Sequence, residues 1–157
     1  MQIEEKIIVV RRMIDDDMPK LEVVGRSLIG FPRPLPWQME AEAEDKVYRP
    51  TMNFVAELDG VVVGFLLGDI RSLWYGNEMG GWIHMVVVHR SYRHLGIGRR
   101  LVEAFCEVCE QKKVDAQVLL RDGDEHLRSF FKFRGFGNGD KVTLEKECGT
   151  RKERKQN

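Results

Sequence analysis

A short glycine-containing segment has the residue types and spacing that point most directly to chemistry. Residues 93–98 read RHLGIG and follow the apolar run Met85–Val88. A strand, a glycine turn and a helix start together form an anion site, because the first helical N–H groups lack internal acceptors and the helix dipole is positive there. Arg93 can add a bidentate contact. The segment predicts phosphate binding, and the alternative is a turn that only joins a strand to a helix.

The longer pattern around this segment is more specific than the spacing R-x-x-G-x-G. Residues 88–101 resemble the acetyl-CoA signature of the GNAT N-acetyltransferases, with the sequence VHRSYRHLGIGRRL. Residues 130–136, FFKFRGF, are similar to the family's aromatic-x-x-x-Gly-Phe ending. The resemblance covers residues 7–144. It implies an α/β, GNAT-like acyl-CoA N-acyltransferase fold, a mixed twisted sheet with helices on both faces. It also implies acetyl transfer from acetyl-CoA, without a metal, to a primary amine attacking directly in a ternary complex.

The resemblance also implies where acetyl-CoA binds. In the family, the strand that ends here at Val88 splays from the next strand, and the pantetheine arm hydrogen-bonds strand backbone in the gap. The turn and the helix start then cradle the pyrophosphate. The residues expected to bind acetyl-CoA are Val86, Val87, Val88, Arg93, His94, Leu95, Gly96, Ile97, Gly98 and Arg99.

His84 is the candidate catalytic base. A lysine-like amine has a pKa of about 10.4, so only about one molecule in 2,500 is neutral at pH 7 and able to attack. Strand alternation predicts that Trp82, His84 and Val86 share one face. His84 lies four residues before Val88, where the arylalkylamine branch of the family also has a catalytic histidine. The alternative is a histidine packed at the strand edge.

The chain departs from the family at Phe131, where many members have a tyrosine that protonates the leaving thiolate. General acid help is worth about 10²–10⁴-fold. Tyr92 or another group could replace it, the thiolate could leave unaided, or the protein could be a catalytically weak acyl-CoA-binding or regulatory protein. Asp124 likewise stands where the family often has asparagine.

The acceptor site is expected between the first two helices and the loop before Trp82. Aromatic and proline residues are available to line it: Phe31, residues 32–36, Trp37, Trp74 and Tyr75. Glu78 and Tyr75 are weaker candidates for the base. Four acidic residues, Glu40, Glu42, Glu44 and Asp45, either attract a cationic amine or form a solvated helix face. A small amine, an antibiotic, a protein N-terminus and a protein lysine all remain open as acceptors.

The composition of the chain indicates its domain organisation, location and partners. The chain has 157 residues, 43% hydrophobic and 32% charged, with a net charge of zero. We expect one domain over residues 1–148, a basic disordered tail over 149–157, a cytoplasmic location, and neither a membrane nor a nucleic-acid partner. A homodimer stays open. Cys106 and Cys109 are interpreted as buried thiols on a helix.

Hydrophobic periodicity predicts the element order β-α-α-β-β-β-α-β-α-β. The predicted strands cover residues 7–10, 54–58, 61–69, 82–88, 114–120 and 141–145. Asp59-Gly60 predicts a hairpin turn. The predicted helices follow Asp15–Asp17, cover residues 37–47, and begin near Ile97 and near Asp124.

Overall fold

The computed structural model describes residues 5–28, 51–72 and 79–148. The strands of this part are β1 (Ile8–Arg12), β2 (Phe54–Leu58), β3 (Val61–Ser72), β4 (Met79–Val88) and β5 (Asp115–Val118). The helices are α1 (Met18–Arg26), α2 (Ile97–Gln111) and α3 (Glu125–Phe133), and two single 3₁₀ turns cover Asp15–Asp17 and Arg90–Tyr92. No helix among the described residues is long and apolar enough to cross a membrane.

The five strands form one mixed sheet in the order β1-β2-β3-β4-β5. The pairs β1·β2, β2·β3 and β3·β4 are antiparallel, and β5 runs parallel to β4. The hairpin predicted between β2 and β3 is confirmed, because Asp59 and Gly60 both have positive φ, 51° and 83°. Two left-handed residues give the turn whose twist matches that of the flanking strands.

Helices pack on both faces of this sheet, as predicted. On one face, Leu21 and Val24 of α1 join a buried cluster with Phe65 and Leu67 of β3. On the other face, α2 lies against Gly64 and Gly68, the alternate residues of the same strand. Strand alternation therefore sends Phe65 and Leu67 towards α1 and the two glycines towards α2.

Gly68 is a point where α2 approaches the sheet closely. A Cβ at this position would lie 2.6 Å from the Phe105 ring and 2.7 Å from the Trp82 carbonyl oxygen. Its amide donates to Asn53 Oδ1 at 3.1 Å, so the backbone is fixed as well. Glycine is thus required here by space.

A buried carboxylate ties α1 to the sheet. Asp17 is fully buried and accepts two hydrogen bonds from the Arg11 guanidinium, both 2.8 Å long. Arg11 also pairs with Glu57 of β2, and Asp17 accepts from the Ile14 amide at 2.9 Å. The Arg11 hydrogen bond holds the pKa of Asp17 well below its usual range. This network fixes the start of α1 against β1 and β2.

The predicted closing strand over residues 141–145 is wrong. The structure gives residues 141–148 no helix or strand, and Val142 and Leu144 are 85% and 92% exposed. Apolar alternation makes a strand only where pairing and burial support it, and the two apolar side chains of this segment are exposed. The helix predicted over residues 37–47 lies outside the described residues.

Two compact units divide the chain, residues 1–124 and residues 125–157. The first contains the sheet, α1 and α2, and the second contains α3. The expectation of a single domain over residues 1–148 stays a prediction, as does the basic tail, which lies outside the described residues.

Candidate functional site

The carboxyl-terminal half of β4 has an open edge. β5 pairs with β4 only from Gly80↔Asp115 to Ile83↔Val118. Beyond Ile83, β4 continues to Val88 with β3 on one side, and no strand in the described ranges pairs with its other side. The pairing of β4 with β5 therefore ends within the stretch where the family resemblance implies that the strands separate. Backbone groups of residues 84–88 on this side can pair with an extended ligand as with an added strand.

A β-bulge places His84 at the start of this open segment. Leu67 pairs with Met85 and Gly68 pairs with Ile83, so His84 is an additional residue of β4. Met85 and Val87 both pack against the cluster on the α1 side. The prediction that Trp82, His84 and Val86 share one face is therefore wrong for Val86, because the extra residue reverses the alternation.

His84 contacts a buried carboxylate on the neighbouring strand. Its Nε2 lies 2.5 Å from Asp69 Oδ2, and the side chains of His84 and Asp69 are 35% and 1% exposed. Arg71 Nε lies 3.6 Å from the other oxygen of Asp69. The sequence analysis missed Asp69. The signal was one carboxylate in the otherwise apolar run of residues 61–70, VVVGFLLGDI.

The turn after β4 has the backbone geometry of an anion site. His94 and Gly96 have positive φ, 65° and 77°, and Gly96 is the residue that caps α2. The Arg100 amide donates to the Gly96 carbonyl at 3.1 Å. The amides of residues 97–99 precede this bond and have no acceptor within the helix. Left-handed residues in such a turn direct successive N–H groups to one concave side, where an anion can bind.

The side chains of the turn divide into exposed and engaged groups. Arg93, His94 and Leu95 are exposed, whereas Ile97 is buried and anchors the helix start. Arg99 pairs with Glu103 at 2.7 Å, which raises the pKa of the Arg99 guanidinium. The geometry thus keeps Arg93 accessible for an anion.

Tyr92 lies in the 3₁₀ turn between the open edge and the anion turn. Its ring packs edge-to-face against His89, with centroids 5.3 Å apart. The His89 amide donates to the Val63 carbonyl at 2.7 Å, and the Arg90 amide donates to Ser27 Oγ at 3.0 Å. These bonds hold the segment that contains Tyr92 against β3 and the end of α1.

The cysteines of α2 have a packing role. Cys109 is buried, and burial raises the pKa of its thiol to about 11. Cys106 is half-buried. The interpretation as packed thiols is confirmed for Cys109, which stays protonated at neutral pH. In residues 5–28, 51–72 and 79–148, no three His, Cys, Asp or Glu side chains are grouped to hold a metal ion.

Phe131 belongs to the second unit and is 3% exposed. Its ring packs edge-to-face against Phe130 and Phe136, at 5.1 and 5.2 Å between centroids. The Phe136 amide returns to the Phe131 carbonyl at 3.1 Å, and Gly135 has a φ of 89°. The aromatic-x-x-x-Gly-Phe pattern is therefore a glycine-terminated helix end that buries the phenylalanines together.

Several predicted site residues lie outside the described residues. They include the expected acceptor lining, the acidic residues and the two weaker base candidates: Phe31, residues 32–36, Trp37, Glu40, Glu42, Glu44, Asp45, Trp74, Tyr75 and Glu78.

Sequence comparison matches this chain to a protein family and to a curated relative. The model of the acetyltransferase (GNAT) family matches residues 23–136. An uncharacterized N-acetyltransferase of Methanocaldococcus jannaschii is 31% identical over 101 residues, which is 61% of this chain and 55% of the relative. The chain thus spans about half the length of this curated relative.

Solved structures share the fold at low sequence identity. The aminoglycoside N-acetyltransferase AAC(6')-Iy in complex with CoA has a TM-score of 0.72 at 16% identity, covering 95% of this chain and 100% of that chain. Naa50 of Arabidopsis thaliana, in complex with the bisubstrate analogue CoA-Ac-MVNAL, has a TM-score of 0.63 at 19% identity, covering 85% of each chain. The predicted α/β acyltransferase-like fold is confirmed.

Proposed function

The chain belongs to the acetyltransferase (GNAT) family, and we propose that it transfers an acetyl group from acetyl-CoA to a primary amine. The observation that carries this proposal is the open edge of β4 running directly into the anion turn. Residues 85–88 have no strand partner on the side opposite β3 among the described residues, and the amides of residues 97–99 have no acceptor within the helix. The pantetheine arm of coenzyme A has amide groups that can pair with the strand backbone. Its pyrophosphate has the negative charge that the helix amides attract.

Acetyl-CoA would lie along these two segments. Val86, Val87 and Val88 offer main-chain groups to the pantetheine and the thioester, and the turn from Arg93 to Arg99 holds the pyrophosphate. A backbone N–H of the open edge can stabilise the oxyanion that forms on the thioester carbonyl. The CoA complex of AAC(6')-Iy, which has a similar fold, supports coenzyme A as the class of ligand.

His84 would remove the proton that keeps the amine from attacking. The imidazole takes one proton from the ammonium, and the neutral nitrogen then bonds to the carbonyl carbon of the thioester. The carbon–sulfur bond breaks, the nitrogen loses its second proton as the amide forms, and coenzyme A leaves as a thiolate that takes a proton from Tyr92 or from water. The proton lost by the nitrogen replaces the one that Tyr92 or water gave up. The products are an amide and coenzyme A, with one proton released to solvent. An imidazole suits this work because its reference pKa is about 6.5.

The substitution Gly98→Glu tests the anion turn. A glutamate at the second position of α2 is compatible with a helix start, but it places a carboxylate where the pyrophosphate would bind. We expect calorimetry to show loss of acetyl-CoA binding with an unchanged melting temperature. Gly139→Glu is the matched control, because it adds the same charge where a Cβ meets nothing within 4 Å. Near-native acetyl-CoA affinity in Gly98→Glu would contradict the assignment.

A screen for thiol release over a panel of acceptors tests the activity itself. The panel contains an aminoglycoside, an arylalkylamine, a peptide with a free N-terminus and a lysine peptide. We expect at least one amine to give turnover well above acetyl-CoA hydrolysis. Phe131 favours a second candidate, a catalytically weak acyl-CoA-binding or regulatory protein, since its buried ring has no hydroxyl. Tight acetyl-CoA binding without turnover across the panel would select that candidate.

A further inference from the structure

We propose that Asp69 is a positioning residue that fixes the tautomer and the ring orientation of His84. This inference rests on the proposed function, in which His84 is the base. The observation behind this inference is a contact between neighbouring strands, in which the imidazole Nε2 lies 2.5 Å from Asp69 Oδ2. Sequence spacing alone does not indicate the pair, because 15 residues separate the two positions.

The hydrogen bond determines which ring nitrogen acts as the base. A carboxylate oxygen accepts, so Nε2 carries the hydrogen and donates it to Asp69. In this tautomer the other nitrogen, Nδ1, carries the lone pair and not the hydrogen. In the proposed reaction, Nδ1 takes the proton of the ammonium. The resulting imidazolium stays bonded to Asp69, whose negative charge stabilises it.

Burial makes Asp69 a fixed partner. Its side chain is 1% exposed, whereas that of His84 is 35% exposed, so the ring is held from inside and accessible from outside. A buried carboxylate is costly unless it is paired, and its recorded partners are His84 and Arg71. The pairing of the two strands brings the side chains together, because Asp69 lies opposite Trp82, two residues before His84.

Other charged groups on the elements packed near this face have partners of their own. Lys20 pairs with Asp17, and Arg26 pairs with Glu22 on α1. Glu57 of β2 pairs with Arg11.

Asp69→Asn tests the inference through the tautomer. The asparagine amide can donate to Nε2 and so reverse the donor and acceptor nitrogens of the ring. In ¹⁵N-labelled wild-type protein we expect His84 Nδ1 to have the resonance of an unprotonated nitrogen, and in Asp69→Asn we expect this assignment to be lost. This measurement needs no acceptor. A wild-type spectrum with the proton on Nδ1 would overturn the inference even if the protein is an active acetyltransferase.

Kinetic measurements with the most active amine of the panel provide a second test of the inference. We expect Asp69→Asn to lower kcat by about 10²-fold, the usual contribution of a general base, with KM for acetyl-CoA changed less than twofold. Asp69→Glu should restore part of the loss because it keeps the carboxylate. Adding Asp69→Asn to His84→Ala should cause no further loss, since the two residues act as a unit.

Glu57→Gln is the control for the loss of a sheet carboxylate, and it should leave kcat and the His84 resonances unchanged. Multiplicative losses in the Asp69→Asn, His84→Ala double variant would overturn the inference. Full activity of His84→Ala would instead remove His84 from the proposed function. The two failures are therefore distinguishable.

Discussion

At the scale of single residues, the central obstacle is the proton on the acceptor amine. We expect His84→Ala to lower kcat/KM by about 10²-fold or more at pH 7, measured by thiol release. The deficit should shrink as pH rises, because the amine then loses its proton without help. His126→Ala, an exposed histidine of α3, is the control. An unchanged kcat/KM from pH 6 to 9 would leave desolvation of the acceptor as the explanation.

The missing tyrosine is a second question at this scale. We expect Phe131→Tyr to change turnover less than twofold, because a thiolate is a tolerable leaving group while a protonated amine cannot attack. Phe131 is only 3% exposed and lies among other aromatic rings, so the substitution buries a hydroxyl there. We therefore also expect a lower melting temperature. A tenfold or greater gain in kcat would show that leaving-group protonation limits the rate.

The sequence indicated His84 but not its partner, and the difference is physical. A histidine in an apolar strand is visible in the sequence, whereas the contact with Asp69 depends on strand register. The pairing register of β3 with β4 shifts at His84, and nothing in the sequence of residues 82–88 signals this bulge. For the same reason, the face assigned to Val86 was wrong, while Trp82 and His84 could be placed by simple alternation.

At the scale of elements, the close approach of α2 to β3 supports the bulge. Gly68 lies at the register shift, directly beneath Phe105. We expect Gly68→Ala to lower the free energy of unfolding by about 1–3 kcal/mol, measured by urea denaturation, because the methyl group would overlap both the ring and the Trp82 carbonyl. Gly139→Ala should be neutral or slightly stabilising. Equal stabilities of the two variants would contradict the packing argument.

Elements with strong local signals were predictable. The hairpin at Asp59-Gly60 needs only two left-handed residues, and α2 has an apolar stripe that continues from Ile97 to Cys109. The closing strand over residues 141–145 was wrong because a strand depends on an edge elsewhere in the fold. Strand β3 runs to Ser72, three residues beyond the predicted end, since pairing with β4 extends it.

At the scale of the whole molecule, charge gives little information about partners, because 25 basic and 25 acidic residues balance. The glycine turn, only six residues long in RHLGIG, was the better guide to family membership. It combines a strand end, left-handed backbone and a helix start in one place. The acceptor could not be predicted in the same way, because its recognition depends on side chains from separate parts of the chain meeting at one pocket.

The network around Asp17 should govern how the whole molecule responds to acid. Its pKa is lowered in the folded state, mainly by the Arg11 hydrogen bond. Below about pH 4 the unfolded chain binds this proton more readily than the folded one. The contribution of Asp17 to stability is therefore complete above that pH and decreases as pH falls.

We expect Asp17→Asn to lower the free energy of unfolding by about 2–3 kcal/mol at pH 7. This is less than for a fully buried pair because Arg11 is 31% exposed. It should also flatten the acid limb of stability measured by urea denaturation from pH 2 to 7. Asp140→Asn, which removes an exposed carboxylate paired with Lys141 at 3.1 Å, should leave that limb nearly unchanged. Parallel acid limbs for wild type and Asp17→Asn would show that other carboxylates dominate acid unfolding.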